Sequence, residues 1–266
     1  HSRRIMADRI IQDLSDIRLR SGDSPEATME FLQLNSYDVC KWDDDFLDTS
    51  NADMDRRYTR AVTGSGSGAV LTLTTGEEWG SARMTTGTTN DGISAMSLGV
   101  VFKGDYNAVV AVRLKINVIA AAKIEVGFRD TVANNTVGIV NALDDPTFSA
   151  TNGCCWVYDT DATTDTWAAE GVKASSVATG ETLATTAPGG VPVADTYQTL
   201  VVALMEDSAY FMRYNADGRK QGETILVSDA QTGSVALAPC VFVQTRNTTT
   251  KLLDIDFFKA WQLRRS

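Results

Sequence analysis

The chain has 266 residues, 43% hydrophobic and 22% charged, enough apolar material for one large domain with an appendage, which excludes disorder throughout. Its 24 basic and 34 acidic residues give a formal charge of -10, so a nucleic acid or an anionic membrane surface would meet net repulsion. No apolar run approaches the roughly 18 residues of a transmembrane helix, and Arg3, Arg4, Asp8 and Arg9 break any signal-peptide core, so no membrane insertion is expected.

In chain order, Ile10, Leu14 and Ile17 stand at helical spacing, and Ser24-Pro25-Glu26 reads as a cap followed by an N1 proline. Residues 1–40 are therefore expected to form a partly helical arm. Five arginines, Arg3, Arg4, Arg9, Arg18 and Arg20, set it apart from an otherwise acidic chain. Arg3, Arg4, Arg9, Ile10, Leu14, Ile17 and Arg18 are candidate contacts with a neighbouring subunit; packing on the chain's own domain is the alternative. Residues 41–266 are expected to form one body. Asp43, Asp44, Asp45, Asp48, Asp53 and Asp55 cluster as in a solvated turn. Thr63 to Gly68 reads as a flexible hairpin tip or linker ahead of alternating Leu71 and Leu73, with further strands near 78–84 and 93–102.

Tyr106 to Asp130 carries the strongest pattern. Ala108, Val110, Val112, Leu114, Ile116 and Val118 share one face, and Asn107, Arg113, Lys115 and Asn117 the other. After a short join, Ile124, Val126 and Phe128 are expected inward and Lys123, Glu125 and Arg129 outward, the two strands forming a central pair. Arg113, Lys115, Lys123 and Arg129 then make a basic outward strip, a second candidate partner surface.

Residues 130–195, rich in Thr, Ala, Asp and Gly, are expected to be mostly surface loop, with a strand at 153–159. Trp156 and Trp167 flank Asp159-Thr160-Asp161-Ala162-Thr163-Thr164-Asp165. Exposed indoles there would stack on sugar rings, and Asp159, Asp161 and Asp165 are a weak calcium candidate, lacking the turn glycine and closing glutamate of an EF-hand. Leu200–Leu204 and Tyr210–Tyr214 read as a hairpin, Asn215-Ala216-Asp217-Gly218 as a turn, and Pro239–Val243 as a buried strand.

Catalytic chemistry has little to stand on. The single histidine is His1, so no Ser-His-Asp or Cys-His device is expected. There is no G-x-x-x-x-G-K-[ST] phosphate loop. Asp254 and Asp256 share a strand face, but solvated outer positions explain them better than a glycosidase pair. Cys40, Cys154, Cys155 and Cys240 have no zinc spacing and are expected to be free thiols of a protein made in the cytoplasm.

Ten or more strands without intervening helices favour an all-β, two-sheet antiparallel sandwich. The hairpin Leu200–Leu204 to Tyr210–Tyr214, the Asn215–Gly218 turn, the strand Pro239–Thr245 and the closing strand Leu252–Trp261 resemble the concanavalin A-like jelly roll of legume lectins, laminin G-like modules and bacteriophage structural proteins. The opening segment Trp42–Leu47 is similar too. The resemblance implies a closing strand that pairs beside the first. Glucanases of that fold place Glu, Asp and Glu on one strand face, and that motif is absent here.

Within the family, phage virion proteins fit best. The expectation is a non-enzymatic capsid decoration or cement protein located in the virion, attached through its arm to the major capsid protein or other virion subunits. A homo-oligomer, with a trimer as the specific guess, and no cofactor go with it. A tail-fibre or adhesion module binding host glycan is the alternative, and a degenerate glycoside hydrolase the third reading.

Overall fold

Strands whose apolar residues alternate must stack that face on another layer, and this chain does so twice over. The structure is a computed structural model and describes residues 39–47, 56–63, 69–74, 80–131, 138–143, 148–177, 182–183 and 190–264. The strands run β1 (Val39–Asp44), β2 (Thr59–Thr63), β3 (Ala69–Leu73), β4 (Ala82–Thr86), β5 (Ile93–Ser97), β6 (Val109–Ile116), β7 (Ala122–Arg129) and β8 (Asn152–Asp159). They continue as β9 (Trp167–Lys173), β10 (Ser176–Val177), β11 (Thr182–Leu183), β12 (Gln198–Met205), β13 (Ser208–Tyr214), β14 (Ile225–Val227), β15 (Ala238–Thr245) and β16 (Leu252–Leu263).

Two eight-stranded sheets result. Sheet A has the order β14-β13-β12-β6-β16-β4-β3 with β1 also on β16, and sheet B the order β10-β9-β8-β7-β15-β5-β2 with β11 also on β9. Every pairing is antiparallel. The closing strand does pair beside the first, Val39 opposite Leu263 through Asp44 opposite Phe258.

The inward rows follow the sequence pattern. Val110, Val112, Leu114 and Ile116 of β6 face Ile124, Val126 and Phe128 of β7 across the core. They do so because β6 and β7 lie in different sheets, so the expected central pair is instead a corner between layers. A strand pair within one sheet shows the same alternation, and nothing local distinguishes the two. Residues 64–68, read as a hairpin tip or linker, lie outside the described residues; the strands on either side, β2 and β3, belong to sheets B and A respectively.

Indole chemistry ties the layers together. Trp156 of β8 donates Nε1 across the interior to the carbonyls of Val201 (3.1 Å) and Met212 (3.2 Å) on β12 and β13. Its ring meets Phe211 edge-on at 5.5 Å and Trp167 at 6.4 Å. Among its described residues the segment 130–195 is thus not mainly surface loop: all of β8 and nearly all of β9 are buried.

Residues 1–38, the bulk of the expected helical arm, lie outside the described residues, and Val39 and Cys40 already belong to β1. The opening strand is locked by Asp44. Its carboxylate accepts from the Phe46 N–H (2.8 Å), the Tyr58 hydroxyl (2.8 Å) and the Arg57 guanidinium (3.1 Å).

Gly127 supplies a test of the close packing in sheet B. A Cβ there would lie 2.1 Å from the Cys154 carbonyl oxygen and 2.7 Å from Cys155 Cα, both backbone atoms with no freedom to withdraw. Gly127→Ala should cost about 3 kcal/mol, at the upper end of overpacking effects, read as a lower urea midpoint with an unchanged slope.

Candidate functional site

Sheet B turns a second face away from the core, and its residues are set by the same alternation. Outward rows carry Lys123, Glu125 and Arg129 on β7, Cys155, Val157 and Asp159 on β8, Glu170 on β9, and Cys240, Phe242 and Gln244 on β15. Of these, Lys123, Glu125 and Arg129 were expected to face water. Instead Lys123 and Glu125 are 0% exposed and Arg129 is 2% exposed.

The cover is formed by the chain's own residues 138–143 and 148–150. Ile139, Val140, Leu143 and Ala150, with Phe148 beside them, pack on Cys155, Val157, Ala168, Val172 and Cys240. Polar contacts fix the cover in place. Lys123 Nζ lies 2.9 Å from Glu125 Oε1 and also donates to the Val140 carbonyl, and the Ile139 N–H donates to Glu125 Oε2 at 2.7 Å. Gly138 has φ +95°, and a Cβ there would fall 2.2 Å from the Glu125 carboxylate, so only glycine suits this approach. Asp130 anchors the segment's return by accepting from the N–H groups of Thr151 (3.0 Å) and Asn152 (2.8 Å).

Several sequence-predicted residues are displaced from their expected roles. Trp156 and Trp167 are core residues at 1% and 0% exposure and offer no face to a sugar. Asp159 is fully buried and held by Arg246 through Nε (3.0 Å) and Nη2 (2.6 Å), while Asp161 lies 3.3 Å from the same guanidinium and Asp165 is exposed. A guanidinium therefore pairs with two of the three carboxylates of the calcium candidate. Among the described residues no group of three or more metal-ligating acids, histidines or cysteines converges on one point.

The basic strip does not exist as one surface. Arg113 and Lys115 are on sheet A, whereas Lys123 and Arg129 are buried on sheet B. Arg113 and Lys115 instead stack on the Tyr197 ring at 4.5 and 4.7 Å and pair with Asp256 (2.5 Å) and Asp254 (3.8 Å). Asp254 is further gripped by Arg83 at 2.6 and 2.8 Å. Both aspartates are thereby held as ion-pair partners, and a strand irregularity between Ile255 and Phe257 separates them. Arg3, Arg4, Arg9, Ile10, Leu14, Ile17 and Arg18 lie outside the described residues.

One open cavity was not anticipated. A cleft of about 420 Å³ lies where β12 begins and β13 ends, walled by Val191, Val193, Thr196 and Tyr197 on one side and Asn215, Ala216 and Gln221 on the other. Its floor is built by strand phase. Leu200, Val202 and Leu204 of β12, and Ala209 and Phe211 of β13, point into the core, so the next residues in those rows, Gln198 and Arg213, end them with polar groups. That switch from apolar to polar at the end of two paired rows was the available sequence signal.

No protein-family model matches the chain, and no curated protein matches it. Solved structures do resemble it. A protein of unknown function from Shewanella oneidensis MR-1 superposes with a TM-score of 0.60 at 14% identity, covering 94% of this chain and 99% of that one. Peanut lectin with a nine-residue peptide gives 0.53 at 10% identity, covering 86% and 99%. LamAcat from Zobellia galactanivorans gives 0.52 at 11% identity, covering 83% and 96%. At such identities the likeness is one of fold: the chain is an all-β concanavalin A-like jelly roll.

Two expectations follow from the covered face. Lys123→Met strands a buried carboxylate and should cost about 3–5 kcal/mol, whereas the double change Lys123→Met with Glu125→Leu should regain most of it, as measured by urea unfolding. Burial also pushes the Cys154 and Cys155 thiols well above their ordinary range, desolvation being the largest cause for each. Ellman's reagent at pH 8 should therefore label at most Cys40 in the native protein and all four cysteines after denaturation.

Proposed function

We propose that this chain is a non-enzymatic structural module of a virion, working as a rigid body whose contacts with neighbouring subunits are made by its surface and by residues 1–38. The observation that supports the reading is the cover over sheet B: a broad sheet face is occupied by the chain's own residues 138–143 and 148–150 instead of being left open to a ligand. Its acids are spread one to a strand, Glu125, Asp159 and Glu170, and the first two are bound by Lys123 and Arg246. Such groups hold structure and are poorly placed to exchange protons with a substrate.

The setting in a phage particle, on a head in the manner of a decoration protein, rests on composition and on the acidic body with its arginine-rich leading segment. The glycan-binding alternative loses its two indole platforms, since Trp156 and Trp167 are spent on joining the sheets. Symmetric copies on a repeating lattice would multiply weak contacts through avidity, which suits a module whose individual surfaces are modest.

The full chain should copurify with assembled particles at a fixed copy number, and the chain lacking residues 1–38 should keep its β-sheet circular dichroism yet lose that attachment. Electron microscopy of the particle reads both. Specific glycan retention, or hydrolysis of a β-glucan that one carboxylate substitution abolishes, would count against the proposal.

A further inference from the structure

We propose that the leading segment, residues 1–38, packs back on the outer face of the chain's own sheet A through the apolar row Ile10, Leu14 and Ile17. That face is apolar at one end. Ala203, Val109 and Trp261 lie opposite one another in turn on β12, β6 and β16, and Met212, Val201 and Ala111 do the same on β13, β12 and β6. All six belong to one buried cluster, on the side of the sheet turned away from Val110, Val202 and Ala260 of the main core.

Every described strand belongs to sheet A or sheet B, and sheet B lies against the inner face. No described strand therefore covers the outer rows, yet Val109, Ala203 and Met212 are 0% exposed and Val201 and Trp261 1%. A sheet face left bare would put such side chains in water. The burial is complete within a single chain, so neither a second copy nor a foreign partner is needed to close the face. Trp261 adds a chemical requirement, because its Nε1 is buried with no hydrogen-bond partner and calls for an acceptor from whatever lies over it.

Length and entry point identify the segment. Of the stretches outside the described residues, 1–38 is the longest, and each of the others has eight residues or fewer. It leads into sheet A at Val39, which stands opposite Leu263 and is itself part of the outer cluster. The cluster spans β1, β16, β6, β12 and β13, five neighbouring strands and about 19 Å. A helix crosses that distance in about 13 residues. Ile10, Leu14 and Ile17 supply apolar side chains at i, i+4 and i+7, with Arg9, Asp16, Arg18 and Arg20 off that row, and Gln12 and Asp13 are among the acceptors available to the indole. Docking on sheet A is separate from attachment to a particle, and it leaves the arginines off the row for neighbouring subunits.

The test is methyl NMR of the isolated full chain. Nuclear Overhauser contacts should join the methyls of Ile10, Leu14 or Ile17 to those of Val109 and Val201 and to the Trp261 ring, and a mixture of labelled and unlabelled chains should show them within one chain only. In the full chain carrying Leu14→Asp with Ile17→Asp these contacts should vanish and the fluorescence of bound anilinonaphthalene sulfonate should rise by about threefold or more, as the apolar face is uncovered. Arg20→Gln, off the row, should leave both readings unchanged. Absence of the contacts in the unsubstituted chain, contacts found only between chains, unchanged dye fluorescence in the folded double variant, or an equal rise in Arg20→Gln would each overturn the proposal. Should the double variant fail to fold, the contacts in the unsubstituted chain decide, and failure to copurify with particles would bear on the proposed function alone.

Discussion

Burial of sheet B on both faces is the constraint on which the rest of this structure depends. All residues of β7, β8 and β15 are buried, although their sequences place Lys123, Glu125, Arg129 and Asp159 among them. A buried charge is tolerable only when paired and hydrogen-bonded, so two-sided burial obliges Lys123 to meet Glu125 and Asp159 to meet Arg246. The cover in turn requires Gly138, whose lack of a side chain leaves room for the Glu125 carboxylate.

The inner face is held differently. Trp156 fills the space between the layers and, through one N–H, bonds to two adjacent strands of the opposite sheet. Packing without that bond would strand an indole donor in the core. Tyr158 follows the same logic at the layer's margin, donating its hydroxyl to the Ile119 carbonyl at 3.2 Å. Desolvation, followed by Asp165 and Asp159, pushes its pKa up to about 12. Aromatics that looked like ligand platforms are the means by which the two sheets keep their spacing.

These commitments leave function to the margins of the sandwich. One face of sheet B is sealed, and on sheet A the polar stretch around Tyr197 is knit by Arg113, Lys115, Asp254 and Asp256 into a rigid charged surface. Among the described residues a cleft is open at the end of the sandwich, where the core rows of β12 and β13 finish in Gln198 and Arg213.

The alternation of Val110, Val112, Leu114 and Ile116, and of Leu200, Val202 and Leu204, determined by sequence alone that the chain makes strands with one apolar face. The number of such strands required two sheets. The closing strand's return beside β1 was legible through a family resemblance, and the two-sheet jelly roll stands. What sequence could not decide was which sheet each strand joins, because a strand pair and a corner between layers share one alternation, as β6 and β7 demonstrate. Nor could it decide that Lys123, Glu125 and Arg129 lie under cover, since charge on the outward row signals water unless another segment arrives from elsewhere in the chain. Ile139 and Val140 do arrive, and only tertiary structure brings a distant apolar segment onto a polar strand face. The recess at Arg213 is of the same kind: strand register places Arg213 opposite Leu200, next in its row to Gln198, and so brings residues fifteen positions apart in sequence to one end of the sheet.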